Sequence, residues 1–118
     1  MTDDKGSSVP QAMLDNDAFI KAASVGDTVV VGSTTQTVTK KQFSESNEIV
    51  VRYFAEIFLA NNTTYKTSQP FSGNEYLALL EPGNHVKIGS NTYVVTNTEF
   101  VKEANGAQLR KVNWRPAV

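Results

Sequence analysis

One stretch of this chain is written twice. "VVVGSTTQTVTKKQF" runs from Val29 to Phe43, and "VKIGSNTYVVTNTEF" runs from Val86 to Phe100, 57 positions later. Between residues 25–43 and 82–100, eight of nineteen positions are identical: Gly26/Gly83, Val29/Val86, Gly32/Gly89, Ser33/Ser90, Thr35/Thr92, Val38/Val95, Thr39/Thr96 and Phe43/Phe100. Chance matching of such compositions would give about one or two, so the match reads as an internal duplication. Whatever the first copy folds into, the second should repeat.

Each copy opens with a helix signal. Ser72 can cap a helix while Glu75, three residues on, closes a capping box, and Asp15 stands at the matching place in the first copy. Phe71 with Tyr76, and Leu14 with Phe19, have the spacing of a hydrophobic staple around those caps. Gly26 and Gly83 follow, where a left-handed residue can end a turn, and Pro82 reinforces the second stop. Helices of about ten residues are expected.

A hairpin comes next in both copies. Val29 and Val31, like Val86 and Ile88, alternate with their neighbours at period two, which predicts strands with the Val/Ile face inward. Gly-Ser-Thr and Gly-Ser-Asn supply the turns. The returning strands place Gln36 or Tyr93 and then Val38 or Val95 on one face.

After Phe43 and Phe100 the copies diverge. The run "EIVVRYFAEIFLA", Glu48 to Ala60, could present Ile49, Tyr53 and Ile57 on one side of a helix. Its β-branched and aromatic content and the alternation of Ile49, Val51, Tyr53, Ala55, Ile57 and Leu59 favour a strand. "NNTT" then turns the chain into "YKTSQPF", and Asn105-Gly106 reads as a tight hairpin turn in the second copy. The resulting fold class is α+β and mostly β: a duplicated helix plus β-meander unit packed as a small sandwich or SH3-like barrel. Its repeats would be 14–70 and 71–118, behind a flexible N-terminal arm at 1–13, where "MTDDKGSSVPQAM" is polar and short of apolar residues.

Composition narrows the function. The 118 residues are 40% apolar, enough for one domain with its own core. There is no cysteine, which excludes disulfides and thiolate metal sites. A net charge of −1 with scattered basic residues argues against a dedicated nucleic-acid binder. No apolar run is long enough for a membrane helix, and Asp3 and Asp4 at the start do not resemble a signal peptide, so synthesis in the cytoplasm is expected.

No catalytic constellation stands out. His85 is the only histidine; its counterpart is Thr28, on the strand face opposite the valines, and it reads as a solvent-facing residue. Ser33 and Ser90 lack a G-x-S-x-G elbow, and Asp15, Asp17, Asp27 and Glu45 form no calcium loop. Asn61 and Asn62 match an N-x-T sequon, which marks only an exposed loop. No enzyme, cofactor, metal, membrane or small-molecule substrate is therefore expected. One basic-aromatic cluster remains, Arg110, Lys111, Trp114 and Arg115, to which Lys40 and Lys41 could add. Alternation would bring Arg110 and Trp114 together for base stacking, so a nucleic-acid-binding module of SH3-like β-fold is the alternative reading.

The long run at 48–60 raises a different possibility. A thirteen-residue strand spans roughly 43 Å, whereas a domain of this size has a radius of gyration near ~13 Å. It should bend, or project with "YKTSQPF" as a hairpin arm that another subunit covers. Alternation turns Ile49, Val51, Tyr53, Ile57 and Leu59 inward, leaving Phe54 and Phe58 beside Val50, Arg52 and Glu56. Phe54, Phe58, Val50, Arg52 and Tyr65 are thus the expected protein interface.

The hairpin pattern G-[DN]-x-V-x-[VI]-G-S-x-T-x-x-V-T, at Gly26–Thr39 and Gly83–Thr96, resembles hairpins of small virion proteins of tailed bacteriophages. That resemblance covers about 28 of the 118 residues. It implies a non-enzymatic structural role in a capsid decoration, head–tail connector, or tail or baseplate piece. The protein would bind other virion proteins or copies of itself and end in the particle.

Overall fold

The two helices begin where the caps predict. The computed structural model describes residues 13–117, so the expected N-terminal arm lies outside it except for Met13. Helix α1 spans Asn16–Ala22, with the Asp15 carboxylate accepting from the Ala18 N–H at 2.8 Å. Helix α2 spans Gly73–Leu79, with the Ser72 hydroxyl accepting from the Glu75 N–H at 3.2 Å. Both are seven residues long, shorter than expected. They stop at Ala23 and Leu80, whose extended backbone ends each helix before the glycine is reached.

Gly26 and Gly83 instead make the turn into the hairpin, at φ of 99° and 91°. Each donates its N–H at 2.8 Å to the carbonyl of Val38 or Val95. No atom of the described residues lies within 4 Å of where a Cβ would stand at Gly83, so strain there would come from the backbone alone. Gly83→Ala is expected to lower stability by about 1–2 kcal/mol, the cost of forcing an L-residue into the left-handed region. Urea unfolding monitored by circular dichroism measures it.

Among the described residues, seven strands follow from the predicted hairpins and their extensions: β1 Thr28–Val31, β2 Thr34–Glu45, β3 Tyr53–Leu59, β4 Thr64–Lys66, β5 His85–Ile88, β6 Asn91–Lys102 and β7 Gln108–Pro116. They form one mostly antiparallel sheet in the order β4-β3-β2-β5-β6-β7, with β1 alongside the start of β2. The long strands β2 and β6 each serve a hairpin partner and a later strand. The first part of β2 pairs with β1 and the rest with β3; the start of β6 pairs with β5, and nearly all of its length pairs with β7. A bulge interrupts β2 between Val38 and Lys40, and another interrupts β6 between Val95 and Asn97. At these bulges the Thr39 and Thr96 hydroxyls donate to the carbonyls of Phe58 and Asn113, at 3.2 and 3.1 Å.

The core lies where the alternation puts it for β2, β3, β5 and β6. Val38, Phe43, Ala55, Ile57, Leu59, Val86 and Val95 are buried together with Ile20, Phe71, Tyr76 and Leu80 from the helical segments. At ~25 cal/mol per Å² of apolar surface, each large side chain among them contributes about 1.5–3 kcal/mol.

No strand pairing among the described residues closes the sheet, whose ends are β4 and β7. Two expectations fail on the geometry. First, the run at 48–60 is not one strand. Because β2 continues to Glu45 and β3 must return antiparallel from Tyr53, residues 46–52 become the reversal. Mutual bonds close it: Ser46 N–H to the Arg52 carbonyl at 2.7 Å, and Arg52 N–H to the Ser46 hydroxyl at 2.9 Å. Ile49, Val50 and Val51 are consequently exposed, so Ile49 and Val51 leave the core expected for them. Second, β3 lies between β2 and β4 and does not project. The hairpin with an uncovered end is β6–β7, where Phe100, Val101 and Leu109 are exposed around the 103–107 turn. The radius of gyration is 16.9 Å, against ~13 Å for a compact chain of about this length.

Candidate functional site

The expected interface residues are spread over three places. Val50 and Arg52 belong to the 46–52 reversal, where Arg52 donates to the Pro70 carbonyl at 2.9 Å. Phe54 and Phe58 are half-buried on β3, under the ammonium groups of Lys66 and Lys40 at 5.1 and 5.0 Å from the ring centres. Tyr65 packs its ring edge against Phe19 of α1, with centroids 5.8 Å apart. Only Phe54 and Phe58, together with their lysines, share one strand face.

The basic-aromatic cluster is all on β7, but its members have different tasks. Arg110 reaches back to α2 and donates to the carbonyls of Ala78 and Leu80, at 2.9 and 2.7 Å, while its guanidinium lies 5.0 Å from the Phe100 ring centre. Lys111 faces Glu99 at 3.8 Å, and Trp114 stacks on Tyr93 at 5.5 Å. Arg115 donates to the carbonyl of Pro116 at 3.3 Å. Lys41 is buried, so its ammonium is closed to a phosphate.

His85 is half-buried rather than solvent-facing, between Gln42 and Val94 in the sheet. Burial and the nearby Lys40 charge lower its pKa, which favours the neutral ring, and its Nδ1 has no hydrogen-bond partner among the described residues. The neighbouring sheet face carries a polar hollow of about 410 Å³ lined by Ser44, Glu45, Glu56, Lys66 and Lys87 among others.

The most elaborate contact joins the two halves of the chain. Residues 42–44 of β2 pair in parallel with residues 85–87 of β5, placing Phe43 opposite Val86. The Phe43 ring is fully buried there, with Tyr76 and Phe71 edge-on at 5.7 and 6.4 Å. Tyr53 stacks against Tyr76, with centroids 3.8 Å apart and the rings nearly parallel. Burial and the Tyr53 hydroxyl raise the Tyr76 pKa and hold the phenol neutral. Around the rim, Lys21 pairs with Glu75 at 2.9 Å and the Ser24 hydroxyl donates to Glu81 at 2.7 Å.

The joint is a strand-edge pairing locked by one aromatic ring in an apolar hollow. Sequence reasoning missed it, because a parallel pairing between two hairpins far apart in the chain leaves no local pattern. Phe43, shared by both copies, was its one visible trace. No protein family, no curated protein and no solved structure matches this chain.

Proposed function

We propose that the chain is an internally duplicated, non-enzymatic assembly protein, a virion component of tailed-phage type that binds other protein subunits or copies of itself. The carrying observation is the β6–β7 arm, where Phe100 is 76% exposed beside Val101 and Leu109. Apolar side chains grouped on an uncovered strand pair are costly in a lone domain and are the material of protein interfaces. Features of the fold that recur 57 residues apart support the duplication: α1 and α2, β1 and β5, β2 and β6, their positive-φ glycines and their bulges. The phage assignment rests on the hairpin resemblance.

Light scattering on the purified chain across the micromolar range, alone and with candidate shell or tail proteins, tests this reading. Self-association or a defined complex is the expected result. A strict monomer that binds none of them would overturn it.

A further inference from the structure

The joint between the halves has a second, unfilled copy of itself, one part in each half of the chain. Adding 57 to the β2 residues of the joint gives Glu99, Phe100 and Val101 on β6; subtracting 57 from the β5 residues gives Thr28, Val29 and Val30 on β1. Among the described residues, β6 at 99–101 pairs only with β7, and β1 pairs only with β2. Both therefore keep one free edge. The ring and its hollow repeat as well. Phe43 is fully buried in the joint while Phe100 is 76% exposed. Phe71, in the wall that receives Phe43, is 5% exposed, while its counterpart Leu14 is 55% exposed.

An open hollow of about 360 Å³ lies where that wall is repeated in the first half, lined by Leu14, Phe19, Ala22 and Val29 among others. Their counterparts Phe71, Tyr76, Leu79 and Val86 surround or adjoin the Phe43 site in the second half. The free edges are also more apolar than the occupied ones. Val101 and Val30, both exposed, stand where the joint has Ser44 and Lys87.

Resting on the assembly reading above, we infer that a second copy of this chain docks head to tail. Residues 99–101 of one copy pair in parallel with residues 28–30 of the next, and Phe100 enters the hollow between Leu14, Phe19 and Val29. Continuity identifies the occupant: the chain already makes this contact once with itself, in the same register and with the same ring. A donor face and an acceptor face at different places on one molecule give a heterologous interface, so copies propagate into a ring or a filament rather than a symmetric dimer. Strand addition at an edge supplies the backbone hydrogen bonds, and the phenylalanine in its hollow supplies the anchor.

Two variants test it on the full chain by sedimentation velocity. Phe100→Asp removes the donor ring, and Ala22→Trp fills the acceptor hollow; Leu14→Asp replaces the latter if Ala22→Trp melts early. All three positions are exposed, so melting temperatures should stay near that of the parent. Each variant alone is expected to weaken self-association by about 30-fold or more, as loss of an interface anchor does. Mixed together, Phe100→Asp and Ala22→Trp should form a one-to-one dimer and nothing larger, because one intact donor meets one intact acceptor. If the parent self-associates and both variants do so equally well, head-to-tail docking is wrong and assembly uses another face. A parent that is monomeric alone but binds another shell or tail protein also rules out head-to-tail docking and leaves the assembly role intact. A parent with no protein partner overturns both.

Discussion

Phe43→Ala should lower stability by about 3–5 kcal/mol, while Phe100→Ala, at the matching position of the other half, should stay within about 0.5 kcal/mol of the parent. The two phenylalanines occupy equivalent places on β2 and β6, but only Phe43 has β5 along its strand's second edge. Their side chains are chemically the same and their surroundings are not. Phe43 is fully buried between Tyr76, Phe71 and Val86, so its removal loses the transfer free energy of the ring and leaves a cavity in the contact that holds the halves together. Phe100 has Arg110 over one face and is otherwise open. Denaturant unfolding of dilute, monomeric protein measures both. Equal losses at the two sites would mean that the Phe100 ring is covered within the single chain and that the arm is not free.

How much of the fold was legible follows from the range of the interactions. Caps, hairpins and alternation are written in residues a few positions apart, so Asp15, Ser72, the Val29 and Val86 strands and the Ala55-Ile57-Leu59 face could be placed correctly. The run at 48–60 failed because alternation cannot say where a strand begins. Ile49 and Val51 continue the period-two pattern of β3 but fall in the reversal that the length of β2 imposes. Helix ends show the same limit. In the first half Lys41 of β2 donates to the carbonyls of Lys21 and Ala23, at 2.7 and 2.6 Å. In the second half the matching carbonyls of Ala78 and Leu80 are held by Arg110 of β7. The counterpart of Lys41 is Thr98, so the alignment hides an equivalence that only the folded chain reveals. That is also why Arg110 and Lys41, read as possible phosphate contacts, turn out to hold helix ends. Folding assigned them before any partner could.

Because of Lys41, stability should rise by about 1–2 kcal/mol as the pH goes from about 8 to about 10. Its side chain is 1% exposed, and burial lowers its pKa from 10.5 to about 8, against the opposing pull of Glu81 and Asp27. Below pH 8 both folded and unfolded chains are protonated there, and the fold bears the cost of a buried ammonium. Between about 8 and 10.5 the unfolded chain binds more protons at this site than the folded one, so stability increases with pH. The neutral amine still donates to the Lys21 and Ala23 carbonyls, so the helix end stays satisfied. Above about pH 10 the sign reverses. Burial raises the pKa of Tyr53 and Tyr76, and such groups withdraw stability once the unfolded phenols ionise. The profile should therefore peak near about pH 10. Lys41→Met keeps most of the apolar stem but has no proton to lose, and its profile should be flat from about pH 8 to 10. Urea midpoints for parent and variant across that window decide it. A parent profile as flat as that of Lys41→Met would mean that the two carbonyls compensate the ammonium fully and that its burial costs the fold nothing.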